Sequence, residues 1–429
     1  MNVCLIGSGG REHAIALAIS NSKLLDKLFI IPGNPGTKSF GLNVSIDITD
    51  VDYLIEFCNE NNVELVIVGP EKPLIEGIAD QLLENNIKVF GPSKNAARIE
   101  GEKSFAKELM KEYNIPTASY KLFNKSEYEK VITYLNTVNY PTVIKADGIA
   151  AGKGVVIAPD FDSAKKAVND CFIGNVFNEA GDKIVIEEFL IGQEASLFAI
   201  SDGSEFVLLP AAQDYKRIYD GDKGKNTGGM GAYAPTPFVN DELIKLISNV
   251  IINPTIQALK EKNCAYIGCL YCGLILTTEG PKVIEFNCRF GDPETQVVLP
   301  LLNGDILELF YTAACGKINS NAVKYNGGSS VCVVAASTGY PDEYEKGKEI
   351  FGLNNVNRDD VIIYHAGTRE KKGKIYTNGG RVLGITSVIN NNDLIDAKKI
   401  AYETLDNIYF DGIYFRKDIS DKALLALNK

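Results

Sequence analysis

Strand and helix signals alternate along the first hundred residues, and this alternation limits the fold more than any other feature of the chain. Asn2–Ile6 is a short apolar run, Arg11–Ile19 reads as a helix, and Lys27–Ile31, Leu65–Val68 and Lys88–Phe90 read as further strands. Such alternation packs as a parallel, doubly wound sheet. A glycine-rich turn, Gly7-Ser8-Gly9-Gly10, joins the first strand to the first helix. It sets backbone N–H groups at a helix N-terminus, where anions bind. The turn is not a dinucleotide fingerprint. The third glycine of G-x-G-x-x-G falls at Glu12, and Pro32-Gly33-Asn34-Pro35-Gly36-Thr37 stands where a ribose-gripping acid is needed. A phosphate-bearing small substrate fits this turn better than NAD.

The most chemical stretch lies far downstream, at Lys282-Val-Ile-Glu285-Phe-Asn287-Cys-Arg289-Phe-Gly291-Asp292-Pro293-Glu294-Thr-Gln296. Its first part reads as a strand. Glu285 and Asn287 are two residues apart and therefore share one face. A carboxylate and an amide oxygen side by side suit a hard cation such as Mg²⁺. Arg289 continues that face and offers a fork of donors for a carboxylate or phosphate. Gly291-Asp292-Pro293 then turns the chain.

Three segments between these ends carry further signals. The strand Tyr140–Gly148, with Lys145 towards its end, and the strand Val155–Ala158 are joined by a small, basic, glycine-rich loop that includes Gly152, Lys153 and Gly154. Such a loop can wrap phosphate oxygens. It lacks the spacing of a Walker A loop, and a strand follows it rather than a helix. Lys183–Leu190 is a strand ending in acids, with Glu194 close behind. Residues 224–233 read as a long flexible loop, a length that usually marks function or disorder. Residues 241–262 read as one amphipathic helix, 319–328 as a polar linker, and the segment from Val331 as a third alternating unit.

The net charge of −11 argues against a nucleic-acid surface. No apolar run is long enough to span a bilayer, and Met1 leads straight into a strand, so a reducing cytosol with free thiols is expected. Cys269-x-x-Cys272 lacks a second pair or a histidine partner and reads as buried thiols. With only His13 and His365 in the chain, histidine-based metal or triad chemistry is close to excluded.

The 282–296 string, together with Gly-Ser-Gly-Gly-Arg-Glu-His-Ala, Asn34–Thr37, Val68-Gly69-Pro70-Glu71 and Asn378-Gly379-Gly380-Arg381, resembles the phosphoribosylamine–glycine ligases of the ATP-grasp superfamily. The resemblance runs almost from end to end. It implies a substrate domain at 1–102, an ATP-grasp domain at 103–318 with a flap lobe at about 120–192, and a small C-terminal α/β domain at 326–429. It also implies ATP-dependent joining of glycine to 5-phosphoribosylamine with Mg²⁺ or Mn²⁺, in a cytoplasmic monomer or weak homo-oligomer.

By resemblance, Gly9, Gly10, Arg11, Asn34, Gly36, Thr37, Pro70 and Glu71 line the phosphoribosylamine pocket. Lys103, Lys145, Gly152, Lys153, Gly154, Glu187, Glu188, Leu190 and Glu194 bind ATP, and Glu285 and Asn287 bind metal. Gly229, Met230 and Gly231 hold substrate, with Asp214, Lys216 and Arg289 as catalytic groups. The family pattern has His where Tyr215 stands and Pro where Lys225 stands. The metal-binding acid that many relatives carry on the preceding strand is missing; only Glu279, in the turn, is acidic there. Another ATP-grasp ligase or carboxylase, and a non-catalytic nucleotide- or NAD-binding protein, are the rival readings.

Overall fold

The computed structural model describes residues 1–148, 154–174 and 176–427. Five parallel strands form the N-terminal sheet, in the order Leu42–Asn43, Lys27–Pro32, Asn2–Gly7, Val63–Val68 and Lys88–Phe90. Because the first strand lies in the middle, crossovers leave it in both directions. The crevice at its carboxyl end is where such sheets bind ligands. The glycine turn, Asn34–Thr37 and Pro70–Glu71 all lie at that end. Glu12 occupies the place of a third fingerprint glycine. A Cβ on Gly7 or Gly69 would strike its side chain, and Gly7 also has φ of +130°.

The central part has two lobes. One is an antiparallel sheet of Phe206–Leu208, Gln193–Asp202, Ile267–Thr277 and Gly280–Asn287. The other pairs Tyr120–Asn124, Lys183–Glu188, Thr142–Ala146 and Val155–Ala158, backed by helices Tyr128–Leu135 and Phe161–Phe172. Cys269 and Cys272 are free and buried in the first lobe. No helix of the described residues is long and apolar enough to cross a membrane.

Strands Gln213–Asp214 and Gly231–Ala234 join Ser329–Ser337, Arg381–Ile389 and Val361–His365 in one antiparallel sheet. The central and C-terminal parts therefore share a sheet. Helix Leu394–Leu405 packs on it.

Three local expectations change. The long loop at 224–233 is instead the hairpin strand Lys223–Asn226 followed by the fully buried strand Gly231–Ala234. Gly231 lies so close to its neighbour that an added Cβ would sit 2.6 Å from the Cys332 carbonyl oxygen. Its glycine count marks close packing rather than mobility. The helix at 241–262 is split by a π-helical turn at Ser248–Ile252. Pro254 lacks an N–H and crowds the preceding turn, which accounts for the wider turn. The supposed linker at 319–328 contains Val323–Tyr325, which pairs with Leu302–Gly304.

The two histidines meet where the first helix touches the C-terminal sheet. The His365 N–H donates to His13 Nδ1 at 2.8 Å, and the Asn34 amide donates to the His365 carbonyl at 2.9 Å. Burial drives His13 down to about 3, with His365 adding to the shift. Burial alone takes His365 to about 4. Both imidazoles are neutral in the fold, whereas an unfolded histidine gains a proton below about pH 6.5. The unfolded chain thus binds more protons, and stability present above about pH 6.5 is lost as pH falls towards these lowered values. For His13, which is 4% exposed, the loss is about 2 kcal/mol between about pH 6.5 and about pH 5. His13→Asn should flatten that part of the curve in urea titrations. An unchanged slope would rule out the assignment.

Candidate active site

Opposite charges converge on the strand Gly280–Asn287. Glu285 lies across from Gly273 and Asn287 across from Tyr271, so they share a face. Lys216 Nζ is 3.7 Å from Glu285 and 3.6 Å from Glu194. Lys103, at the start of helix Lys103–Glu112, donates to the Gly148 carbonyl at 2.8 Å. Lys145 donates to the Ile284 carbonyl at 3.0 Å and pairs with Glu187 at 3.0 Å.

Burial pushes the Glu285 carboxyl up, but Lys216, Lys145, Lys103 and Arg289 together hold it below its ordinary value. Desolvation lowers Lys103. Burial raises Asp214 to about 7; Lys216 opposes that rise, while Glu294, Glu194 and Glu285 add to it. Lys216 is raised despite its own burial, chiefly by Asp214 and Glu194. The structure thus brings Lys103, Lys145, Glu194, Asp214, Lys216 and Glu285 into one electrostatic cluster. The chemistry of the donor set suits a hard divalent cation. Glu285 supplies an ionised carboxylate and Asn287 an amide oxygen. Among the described residues no group of three Asp, Glu, His or Cys completes a cage.

Several expected contacts are already made inside the chain. Glu187, expected to bind ATP, is 4% exposed and pairs with Lys145 and with Lys107, the latter at 3.1 Å. Desolvation takes Lys107 down to about 8. Glu188 accepts the Ser119 N–H at 2.8 Å through its side chain. Leu190 follows that strand, and Gly154 accepts a backbone bond from Ala146 at 2.8 Å. Gly152 and Lys153 lie outside the described residues. Arg289, expected to hold a substrate carboxylate, has its fork on Glu71 at 3.2 Å and Glu100 at 3.1 Å. These acids outweigh burial and raise its pKa.

Gly229, Met230 and Gly231, expected to hold substrate, lie in a segment whose N–H groups are mostly paired within the chain. Gly228 N–H donates to the Tyr340 hydroxyl, Gly229 to Thr227 and Met230 to the Tyr215 carbonyl. The Met230 side chain is wholly buried, and Gly231 is in the sheet.

The N-terminal crevice is likewise self-paired. Gly9 N–H and Arg11 Nε both donate to Glu12 at 2.6 Å. Asn34 Oδ1 accepts the N–H groups of Gly36 and Thr37. Gly10 lies so near Gln296 that an added Cβ would be 2.6 Å from its Nε2. Pro70 caps the helix that begins at Glu71.

Sequence reasoning assigned no role to Arg381. It donates to the carbonyls of Gly228 at 2.7 Å and Asp292 at 2.6 Å, and it pairs with the Asp292 carboxylate at 3.3 Å. Its only signal was its place in the Asn378-Gly-Gly-Arg string. Tyr215 packs in the C-terminal core, and the exposed Lys225 pairs with Asp342 at 2.7 Å.

Residues 1–100, 101–295 and 330–422 match, respectively, the N domain, the ATP-grasp (A) domain and the C domain of phosphoribosylglycinamide synthetase. The chain belongs to the phosphoribosylglycinamide synthetase family. Among its relatives, the phosphoribosylamine–glycine ligase of Caldanaerobacter subterraneus subsp. tengcongensis is 46% identical over 98% of this chain and 99% of its own. That of Leptospira interrogans is 47% identical over 99% of both. A crystal structure of the phosphoribosylamine–glycine ligase of Thermotoga maritima superposes with a TM-score of 0.83 at 35% identity, covering 98% of this chain and 100% of that one. The biotin carboxylase domain of a Hydrogenobacter thermophilus 2-oxoglutarate carboxylase, solved with MgADP, shares the fold at 15% identity and a TM-score of 0.75, over 96% of this chain and 91% of that one. Phosphoribosylglycinamide synthetases are thus built on the mixed α/β ATP-grasp architecture described above.

For this family member the raised Asp214 gives a direct test. In metal-free protein, the infrared band of its protonated carboxyl should vanish with a midpoint near pH 7, as burial requires. Lys216→Gln should move that midpoint upward, because the Lys216 cation lowers it. A band absent at pH 5, or unmoved by the substitution, would contradict this electrostatic picture.

Proposed function

We propose that this chain joins glycine to 5-phosphoribosylamine at the expense of ATP. The products are glycinamide ribonucleotide, ADP and phosphate, the step of purine biosynthesis that its relatives' name describes. The observation that carries this reading is end-to-end similarity to phosphoribosylamine–glycine ligases combined with a lysine cluster around an ionised Glu285.

A carboxylate is a poor electrophile, and transfer of the γ-phosphoryl group of ATP to glycine makes a glycyl phosphate that an amine can attack. Phosphoryl transfer needs positioning and charge neutralisation. Lys103 and Lys145 supply positive charge to the phosphates from the two sides of the lobe junction. Glu285 and Asn287 hold a divalent cation, Mg²⁺ or Mn²⁺, which when bound contributes further neutralisation. Lys216 keeps a cation beside the carboxylates, and Asp214 takes a proton from the attacking amine. Glu188, Leu190 and Glu194 frame the nucleoside end, and Gly152, Lys153 and Gly154 bind the phosphates. Gly9, Gly10, Arg11, Asn34–Thr37, Pro70 and Glu71 frame the phosphoribosyl group. Gly229–Gly231 and Arg289 shape the glycine end.

The reading places the chain in the cytoplasm as a monomer or weak homo-oligomer, acting without nucleic acid or membrane. ADP release should require both glycine and phosphoribosylamine. Glu285→Ala should lower it by about 100-fold or more, with the circular dichroism spectrum unchanged. Turnover within twofold of the parent would remove Glu285 from the chemistry.

A further inference from the structure

We propose that Arg416, in the C-terminal unit, is a positioning residue for Lys216. The proposal deepens the reading above and rests on its assignment of Lys216 to the reacting groups.

Arg416 is the largest fully buried side chain of the described residues. A guanidinium taken out of water is tolerated only when its donors are matched. Nε and Nη2 form a fork on Asp418, each at 2.7 Å. Nη1 donates to the Arg217 carbonyl at 2.9 Å and to Asp222 at 3.1 Å. The guanidinium carbon lies 4.7 Å from the centre of the Tyr215 ring, a cation–π distance. Arg416 therefore grips the residues on either side of Lys216 without reaching Lys216 itself.

The neighbouring contacts all tighten the same point. Lys422 Nζ covers Tyr215, also at 4.7 Å, and its N–H donates to the Tyr215 hydroxyl. Thr227 donates to the Lys216 carbonyl through both its N–H, at 2.7 Å, and its hydroxyl, at 2.9 Å. Gly221 N–H and Lys417 N–H tie the hairpin Arg217–Asn226 to the 416–418 segment through Asp418 and Asp220. Lysine is a flexible side chain. A backbone fixed on both sides confines its Nζ to the carboxylates of Glu194 and Glu285, and a displacement of about 1 Å in such a group lowers turnover by about 100-fold.

Turnover with ATP, glycine and phosphoribosylamine tests this, with each variant's thermal midpoint recorded to correct for folded fraction. Arg416→Gln should lower kcat about tenfold while KM for ATP stays within about twofold, since Lys103 and Lys145 lie on other elements. Arg416→Lys should restore about a third of kcat, keeping the charge but not the fork. Asp222→Asn, which leaves the Arg217 bond in place, should stay within about twofold. In a Lys216→Gln background, Arg416→Gln should cost less than about twofold more, as coupled residues require. Equal losses in both backgrounds, or a lowered midpoint with kcat intact, would overturn the positioning role. Parental kcat for Lys216→Gln alone would instead overturn the reading of Lys216, and the proposal with it.

Discussion

Pairing of buried charge is the constraint on which the site depends. Lysines and carboxylates removed from water are tolerated only when each meets an opposite charge or a full set of hydrogen bonds. Glu187 is almost wholly enclosed and lies between Lys107 and Lys145. That pairing holds Lys145 against the Ile284 carbonyl, one residue before Glu285. Lys145 is thereby fixed from its own lobe onto the strand that carries Glu285 and Asn287. The lobes meet through charge, and the same charge sets the ionisation of Glu285.

Arginines do the equivalent work between the other parts. Arg289 draws Glu71, at the start of a helix in the N-terminal part, and Glu100 of helix Lys94–Gly101 onto the end of the strand Gly280–Asn287. Arg381 draws the C-terminal sheet onto the Asp292 turn and the carbonyls of Gly228 and Gly229. Both use planar forks that satisfy several acceptors at once, which an ammonium cannot do. The turn at 289–296 is thus held from both sides, and Gly10 closes over Gln296 with no room for a side chain.

Legibility in the sequence followed period and spacing. The parallel N-terminal sheet was readable because its strands are continuous apolar runs punctuated by glycine turns, and Glu285 with Asn287 because strand period puts them on one face. Gly231–Ala234 was not readable. Its small residues look like a loop, and only contact with Ser330–Val333, about a hundred positions away, makes it a strand. Tertiary pairing overrode local propensity there. The partners of Arg289 and Glu187 were equally hidden, because a charged residue on one line of text does not name the opposite charge brought beside it by the fold. Arg381 and Arg416 were missed for the same reason. Besides its carboxylate partners, each grips a backbone carbonyl from a distant segment, which carries no sequence signature.

On the proposed assignment of substrate to these groups, their internal pairing bears on selectivity. Gly9 N–H, the Asn34–Thr37 turn and the Gly228–Met230 N–H groups already have partners in the chain. A substrate therefore exchanges bonds rather than adding them, and an exchanged neutral bond yields little net free energy. Charge breaks the tie. A phosphate or carboxylate forms stronger bonds than the hydroxyls and carbonyls it replaces, whereas a neutral analogue gains nothing over the internal partners. At Gly9 and Arg11 the internal partner is itself a carboxylate, so an incoming anion must displace Glu12 or be met by other cations. On the same assignment, discrimination at this crevice rests on the anion's charge and geometry together, more than on the helix terminus behind it.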